Sequence, residues 1–248
     1  MERTIRPESS RAQRVQPEKF LLVFLLDRTG SMAGCYHATV TGFNEFLHQQ
    51  QGERAGDASM TLVQFDLNGD EPVCQTRYSA TELTAVADLG SKLNPYVPRG
   101  ATPLFDAVGQ TIVSTDQVAG QYEHILFIIQ TDGYENASRE FSQRQVFEMV
   151  NARRLAGWDF IFLGADIDAY SVGEALNVPL ANTISYRAAS QSAPAFACLS
   201  ASTTLYRRSS GQTRGATEPL ADAPVTLSAG ASNGLEGQST GSDPKWLR

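Results

Sequence analysis

The stretch FLLVFLLDRTGSMAG, residues 20–34, sets seven apolar residues directly before Asp27, Thr29 and Ser31 at alternate positions. An unbroken apolar run of strand length reads as a strand buried on both faces of a parallel sheet, because such a strand has no solvent face to mark with polar residues. In the extended turn that follows, alternate side chains point the same way. Asp27, Thr29 and Ser31 therefore aim at one spot while Arg28 and Gly30 face elsewhere.

Working outward, Val40, Phe43 and Leu47 recur at helical spacing and predict a first helix from Tyr36 to the polar end at residues 49–52. Residues 59–65 and 73–78 read as strands, and the DLNGDEP stretch between them carries an Asn-Gly pair, so they form an antiparallel hairpin. Residues 81–93 read as a short helix. The NPYVPRGAT stretch then breaks regular structure before a helix with Thr102 as N-cap, Pro103 at its first position, and Phe105, Val108 and Ile112 as its buried stripe. Further along, strands at 124–130, 158–163 and 182–185 alternate with helices at 142–155, 168–176 and 195–207. The alternation predicts an α/β fold: a doubly wound, mostly parallel central sheet with one antiparallel edge strand and helices on both faces.

The chain divides into a polar, flexible segment at 1–19, one domain at 20–208, and a tail at 209–248. The tail is rich in Ser, Gly and Ala, buries too little to offset its ordering entropy, and is expected to be disordered. A hydrolase-elbow pattern, GASNG at 230–234, falls in that tail rather than between a strand and a helix and carries no weight. The net charge of −7 argues against nucleic acid or an anionic membrane surface as partner. The apolar run at 20–26 is much shorter than the ~20 residues of a membrane span, and no cleavage pattern follows it, so neither a membrane nor secretion is expected. Cys35, Cys74 and Cys198 lack disulfide or metal spacing and read as buried, reduced thiols. The compartment read from these features is the cytoplasm, and the glycosylation sequon at Asn136 is set aside on that basis.

In open parallel sheets, ligands sit beyond the carboxyl ends of the strands, where the strand order reverses. Asp27 and Asp132 both fall at such ends, and Thr102 adds a hydroxyl from the RGATP loop. The resulting set, Asp27, Thr29, Ser31, Thr102 and Asp132, contains only hard oxygen donors, which suit Mg2+ or Mn2+ rather than zinc or copper.

The motifs DRTGS, Thr102 within GATPLFDA, and TDG, in that order, resemble the metal-ion-dependent adhesion site of the von Willebrand factor type A (vWA) family, with the resemblance spanning roughly residues 20–185. It implies that Thr29, Ser31 and Thr102 touch the metal through their hydroxyls and that Asp27 and Asp132 act mostly through coordinated water. Thr29 departs from the serine more usual there. The resemblance also implies a protein ligand that supplies an Asp or Glu to the metal. As an intracellular bacterial-type member, the domain would serve an assembly, stress-response or phage-associated system.

The alternative is a Mg2+-dependent hydrolase or phosphotransferase that uses Asp27 as nucleophile or base. The common phosphoryl-transfer pattern would place a second carboxylate where Thr29 stands, and no P-loop signature is present. Among the remaining acids, Asp106 reads as a residue holding the site loop or a solvated helix position. Asp168 reads as a helix cap, and Asp166 as a loop residue. Trp158 is expected to pack at a strand start.

Overall fold

The apolar run forms β1 (Lys19–Asp27), which lies in the middle of a six-stranded sheet. The computed structural model describes residues 17–209; Lys19, expected in the flexible segment 1–19, opens β1, and Ser209, expected in the disordered tail 209–248, ends the last helix, while residues 1–16 and 210–248, with the 230–234 stretch, lie outside the described residues. The other strands are β2 (Asp57–Asn68), β3 (Glu71–Glu82), β4 (His124–Thr131), β5 (Trp158–Ala165) and β6 (Thr183–Tyr186). Their order is β3-β2-β1-β4-β5-β6, with every neighbouring pair parallel except β2 and β3. The single antiparallel strand is thus an edge strand, joined through a tight turn at Gly69, where φ is +63°.

Five helices cover the two faces: α1 (Tyr36–Gly52), α2 (Leu104–Ala119), α3 (Gln143–Leu155), α4 (Ala169–Ala175) and α5 (Ala188–Ser209). The alternation along β1 decides which helices it meets. Phe20, Leu22, Phe24 and Leu26 pack with Phe43 and Phe46 of α1 and Phe196 and Leu199 of α5. Leu21, Val23 and Leu25 pack with Val108 and Ile112 of α2, Val146 and Val150 of α3, and Val172 of α4. Each such large side chain, fully buried, contributes about 1.5–3 kcal/mol. This two-sided core fixes the height at which Asp27 leaves the sheet.

The chain runs from β1 outward to β2 and β3, then returns to place β4 on the other side of β1. The strand order therefore reverses between β1 and β4, and the crevice beyond their carboxyl ends is the expected ligand position. Trp158 is buried at the start of β5, stacked on Phe160, with the Arg153 guanidinium over its ring. All three cysteines are free; Cys35 is buried, and Cys74 and Cys198 are half-buried.

Two helices, at 81–93 and 195–207, are not as expected. Residues 81–93 are not a helix: β3 continues to Glu82, a single 3-10 turn covers Leu83–Ala85, and the rest is irregular. Leu83, Val86 and Leu89 are buried at a spacing of three, the signal that reads as helical. Val86 N bonds the Leu83 carbonyl across the turn, and side chains bond other backbone groups of this segment. Gln51 donates to the carbonyls of Leu83 and Val86, and Asn44 bonds both the N–H and the carbonyl of Leu89. Side-chain partners replace the helical ladder. The last helix also begins earlier than residue 195, at Ala188, with an exposed Pro194 inside it. Proline at a first helical turn is the commoner arrangement, which is why the sequence misplaces this start.

Candidate metal centre

Beyond the carboxyl end of β1, a 3-10 turn (Gly30–Cys35) leads into α1, and the extended Thr29 before it accounts for the alternate aim of the first three oxygens. The Asp27 side chain is fully buried. Its Oδ1 accepts from the Thr29 N–H at 2.6 Å, and its Oδ2 accepts from the Thr131 hydroxyl at 2.5 Å. The Tyr96 hydroxyl holds its carbonyl at 2.7 Å.

The remaining side chains form a continuous line of oxygens. Thr102 Oγ1 lies 3.4 Å from Thr29 Oγ1, Thr29 Oγ1 lies 3.1 Å from Ser31 Oγ, and Ser31 Oγ lies 2.5 Å from Asp132 Oδ1. All five residues singled out in the sequence therefore meet at the crevice. Metal–oxygen distances of ~2.0–2.1 Å imply about 2.9 Å between adjacent oxygens of an octahedral shell. The observed spacings bracket that value, so the residues present fit a small divalent cation. Among the described residues no three His, Cys, Asp or Glu side chains cluster around a metal position, in keeping with a donor set that is mostly hydroxyl.

Thr102 departs from its expected role. It is not the N-cap of α2; that position belongs to Pro103, and the helix begins at Leu104. The open amides of the first turn are met from another loop: the Glu135 carboxylate accepts from Phe105 N at 2.9 Å, and Ser138 Oγ accepts from Asp106 N at 3.0 Å. Asn136 accepts from Thr102 N at 2.8 Å through its side chain and donates to the Thr102 carbonyl at 3.0 Å through its backbone. With its backbone held this way, Thr102 keeps its hydroxyl for the crevice. Gly133 makes room for it, since a Cβ there would lie 2.8 Å from Thr102 Oγ1.

Asp106 is buried and accepts from the backbone N–H of Arg139, Glu140 and Phe141, each at 2.8 Å. It shapes the loop after Asp132, the loop-holding alternative of the sequence reading. Asp168 caps α4 by accepting from Ser171 N and Ser171 Oγ, and Asp166, in the loop before it, accepts from Ala188 N.

The loops are also tied from the β2 side. Asp66, buried in β2, accepts through Oδ2 from Arg28 Nε at 2.6 Å and from Arg99 Nε at 3.0 Å. Arg28 Nη1 reaches Gln64 and Gln75, and the backbones join where Arg99 N meets the Arg28 carbonyl and Gly30 N meets the Gly100 carbonyl. Gly100 is required here: φ is +69°, and a Cβ would fall 1.8 Å from the Leu67 carbonyl oxygen.

Burial pushes the Asp27 carboxyl up to about 7; hydrogen bonds from Thr131 and Thr29 pull against that, and the charge of Asp132 adds to it. Asp132 is raised as well, chiefly by desolvation, against hydrogen bonds from Ser31 and Cys35. Cys35 sits 3.8 Å from Asp132 Oδ2, and burial pushes its thiol up to about 12, so it faces that carboxylate as a neutral S–H donor. Two carboxylates held in a poorly solvated crevice favour an incoming cation.

Sequence reasoning missed Thr131, Glu135, Asn136 and the Arg28–Asp66–Arg99 group. The run Glu135, Asn136, Ser138 just after TDG is a signal of loop capping that was available. Nothing in the sequence pairs Asp66 with Arg28 or Arg99, which lie more than thirty residues away along the chain.

No protein-family model and no curated protein matches the chain. Solved structures do. The pilus adhesin SpaC from Lactobacillus rhamnosus GG, in its open conformation, superimposes with a TM-score of 0.55 at 15% identity over 80% of this chain and 31% of that one. Proximal thread matrix protein 1 from the mussel byssus gives 0.53 at 11% identity over 77% and 47%. Manganese-loaded TRAP protein of Plasmodium vivax gives 0.51 at 14% identity over 73% of each chain. The chain thus spans less than half the length of the mussel and pilus proteins. With the strand order and the mostly parallel sheet described above, these likenesses show that the chain has the fold of the von Willebrand factor type A domains.

Proposed function

We propose that this domain is a divalent-metal-dependent protein-interaction module. Thr29, Ser31, Thr102, Asp27 and Asp132 hold Mg2+ or Mn2+, and an Asp or Glu of a partner protein completes the site. The observation that carries this reading is the line of hydroxyl and carboxylate oxygens from Thr102 to Asp132 at spacings of 2.5–3.4 Å. When bound, the cation supplies an electrophilic position for a carboxylate. Asp27 and Asp132 balance its charge, while the three hydroxyls are neutral and leave that position attractive to an anion. The manganese in the Plasmodium TRAP structure, a neighbour in fold, supports a divalent ion here.

Asp27 is a poor candidate for a nucleophile or general base, since it is fully buried and both of its oxygens are engaged. That favours binding over the hydrolase alternative. Among the described residues no helix is long and apolar enough to cross a membrane. The cytoplasmic setting in this proposal rests on the sequence, whose three scattered cysteines lack disulfide spacing. Calorimetric titration with Mg2+ and Mn2+ tests the reading. Wild type is expected to bind one ion per chain and Asp27→Ala none; equal binding by both would end the assignment.

A further inference from the structure

The charge of Arg99 is in excess of what the fold uses. Arg28, only 5% exposed, already neutralises Asp66 through Nε and an ion-pair contact of Nη2 at 2.5 Å. Arg99 adds a single bond from Nε, while 46% of its side chain is exposed and its two terminal nitrogens bond nothing among the described residues. Its guanidinium is therefore held by a buried carboxylate, with its outer pair of donors left free. The backbone of Arg99 borders the crevice loop: its N–H bonds the Arg28 carbonyl, and the next residue, Gly100, accepts from Gly30, between Thr29 and Ser31. The far side of the mouth carries the opposite sign, with exposed Asp166 and Asp168 in the loop after β5.

We infer that Arg99 is a specificity-determining residue and that the partner segment carries two acidic residues. One meets the metal. The other seats on the free Nη1 and Nη2 of Arg99. A planar guanidinium fixed at Nε presents two parallel N–H donors that match a carboxylate, and fixing it beforehand lowers the entropy lost on binding. The acid on the β5 side repels a second carboxylate there, so the partner chain lies toward the Gly100 loop. This inference rests on the metal-dependent reading above and names the chemistry of its partner.

The test uses the full chain in Mg2+ and blocked nonapeptides of glycine and serine with one central aspartate. Variant peptides carry a second aspartate two or four residues before or after the first, and binding is followed by NMR titration. At least one two-aspartate peptide should bind about fivefold more tightly than the single-aspartate peptide, with the gain shrinking at high salt. Arg99→Gln, which keeps a donor for Asp66 but no charge, should reduce that gain, taken against the single-aspartate affinity of the same variant, to less than twofold. Arg99→Lys should keep part of it. A gain that persists in Arg99→Gln, or its absence for every spacing in wild type, overturns the inference while metal-dependent binding still stands. If the single-aspartate peptide fails to bind, or binds Asp27→Ala equally well, the interaction-module reading fails and this inference fails with it.

Discussion

Asp66→Ala will lower the unfolding free energy by about 3–5 kcal/mol, the usual cost of leaving one member of a buried ion pair without its partner. Asp66 is inaccessible to solvent and Arg28 nearly so, and the Arg28 guanidinium would retain only its two glutamine contacts. Urea denaturation measures the loss. Replacing both residues, as Asp66→Ala with Arg28→Met, should recover a large part of it, because no buried charge is then unpaired. A loss below about 1 kcal/mol in the single variant would mean that water reaches Arg28 and that the pair does not anchor the site loops.

The metal-free protein will lose stability as pH rises from about 4 to about 7. Burial raises the folded Asp27 carboxyl from its ordinary value of 3.8 to about 7, so between those values the folded chain holds a proton that the unfolded chain has released. Stability therefore declines with rising pH across that window and levels off above it. The size of the effect is about 4 kcal/mol as an order of magnitude, undiminished by solvent screening because the group is buried. Thermal melts of wild type and Asp27→Asn in chelator isolate the contribution, since the variant cannot titrate there and its curve should be flatter. At pH 8, adding Mg2+ or Mn2+ at a hundredfold excess over its dissociation constant should stabilise wild type by about 2.7 kcal/mol and leave Asp27→Asn unchanged. The site is thus costly when empty and stabilising when filled.

The sequence makes some of this legible and hides the rest for identifiable reasons. A run such as Phe20 to Leu26 has one low-energy reading, and from it follow the central strand, its two-sided burial and the emergence of Asp27 at the carboxyl edge. The Asn-Gly turn likewise marks the antiparallel edge pair. Residues 81–93 mislead because burial at every third position is shared by a helix and by an irregular segment packed on one. Deciding between them requires knowing that Gln51 and Asn44 reach across to its backbone. Thr102 shows the same limit in a single residue. Its position before a proline suggests a cap, but Glu135 and Ser138 meet the helix end instead, and its hydroxyl turns to Thr29. Local propensity predicts what a residue can do, and long-range partners decide which of those roles it takes.

The five-residue site itself was visible as spacing and order, while the parts that hold it were not. Thr131, Asn136 and Asp66 are common residue types whose roles exist only once β1, β2 and β4 are adjacent.

A crystal structure of the protein grown with Mn2+, with the ion located by its anomalous scattering, tests the metal site itself. One peak is expected within about 2.2 Å of the hydroxyls of Thr29, Ser31 and Thr102, with Asp27 and Asp132 beside it. A peak held by other residues, or an empty crevice at saturating manganese with the side chains arranged as described, would contradict the five-residue site.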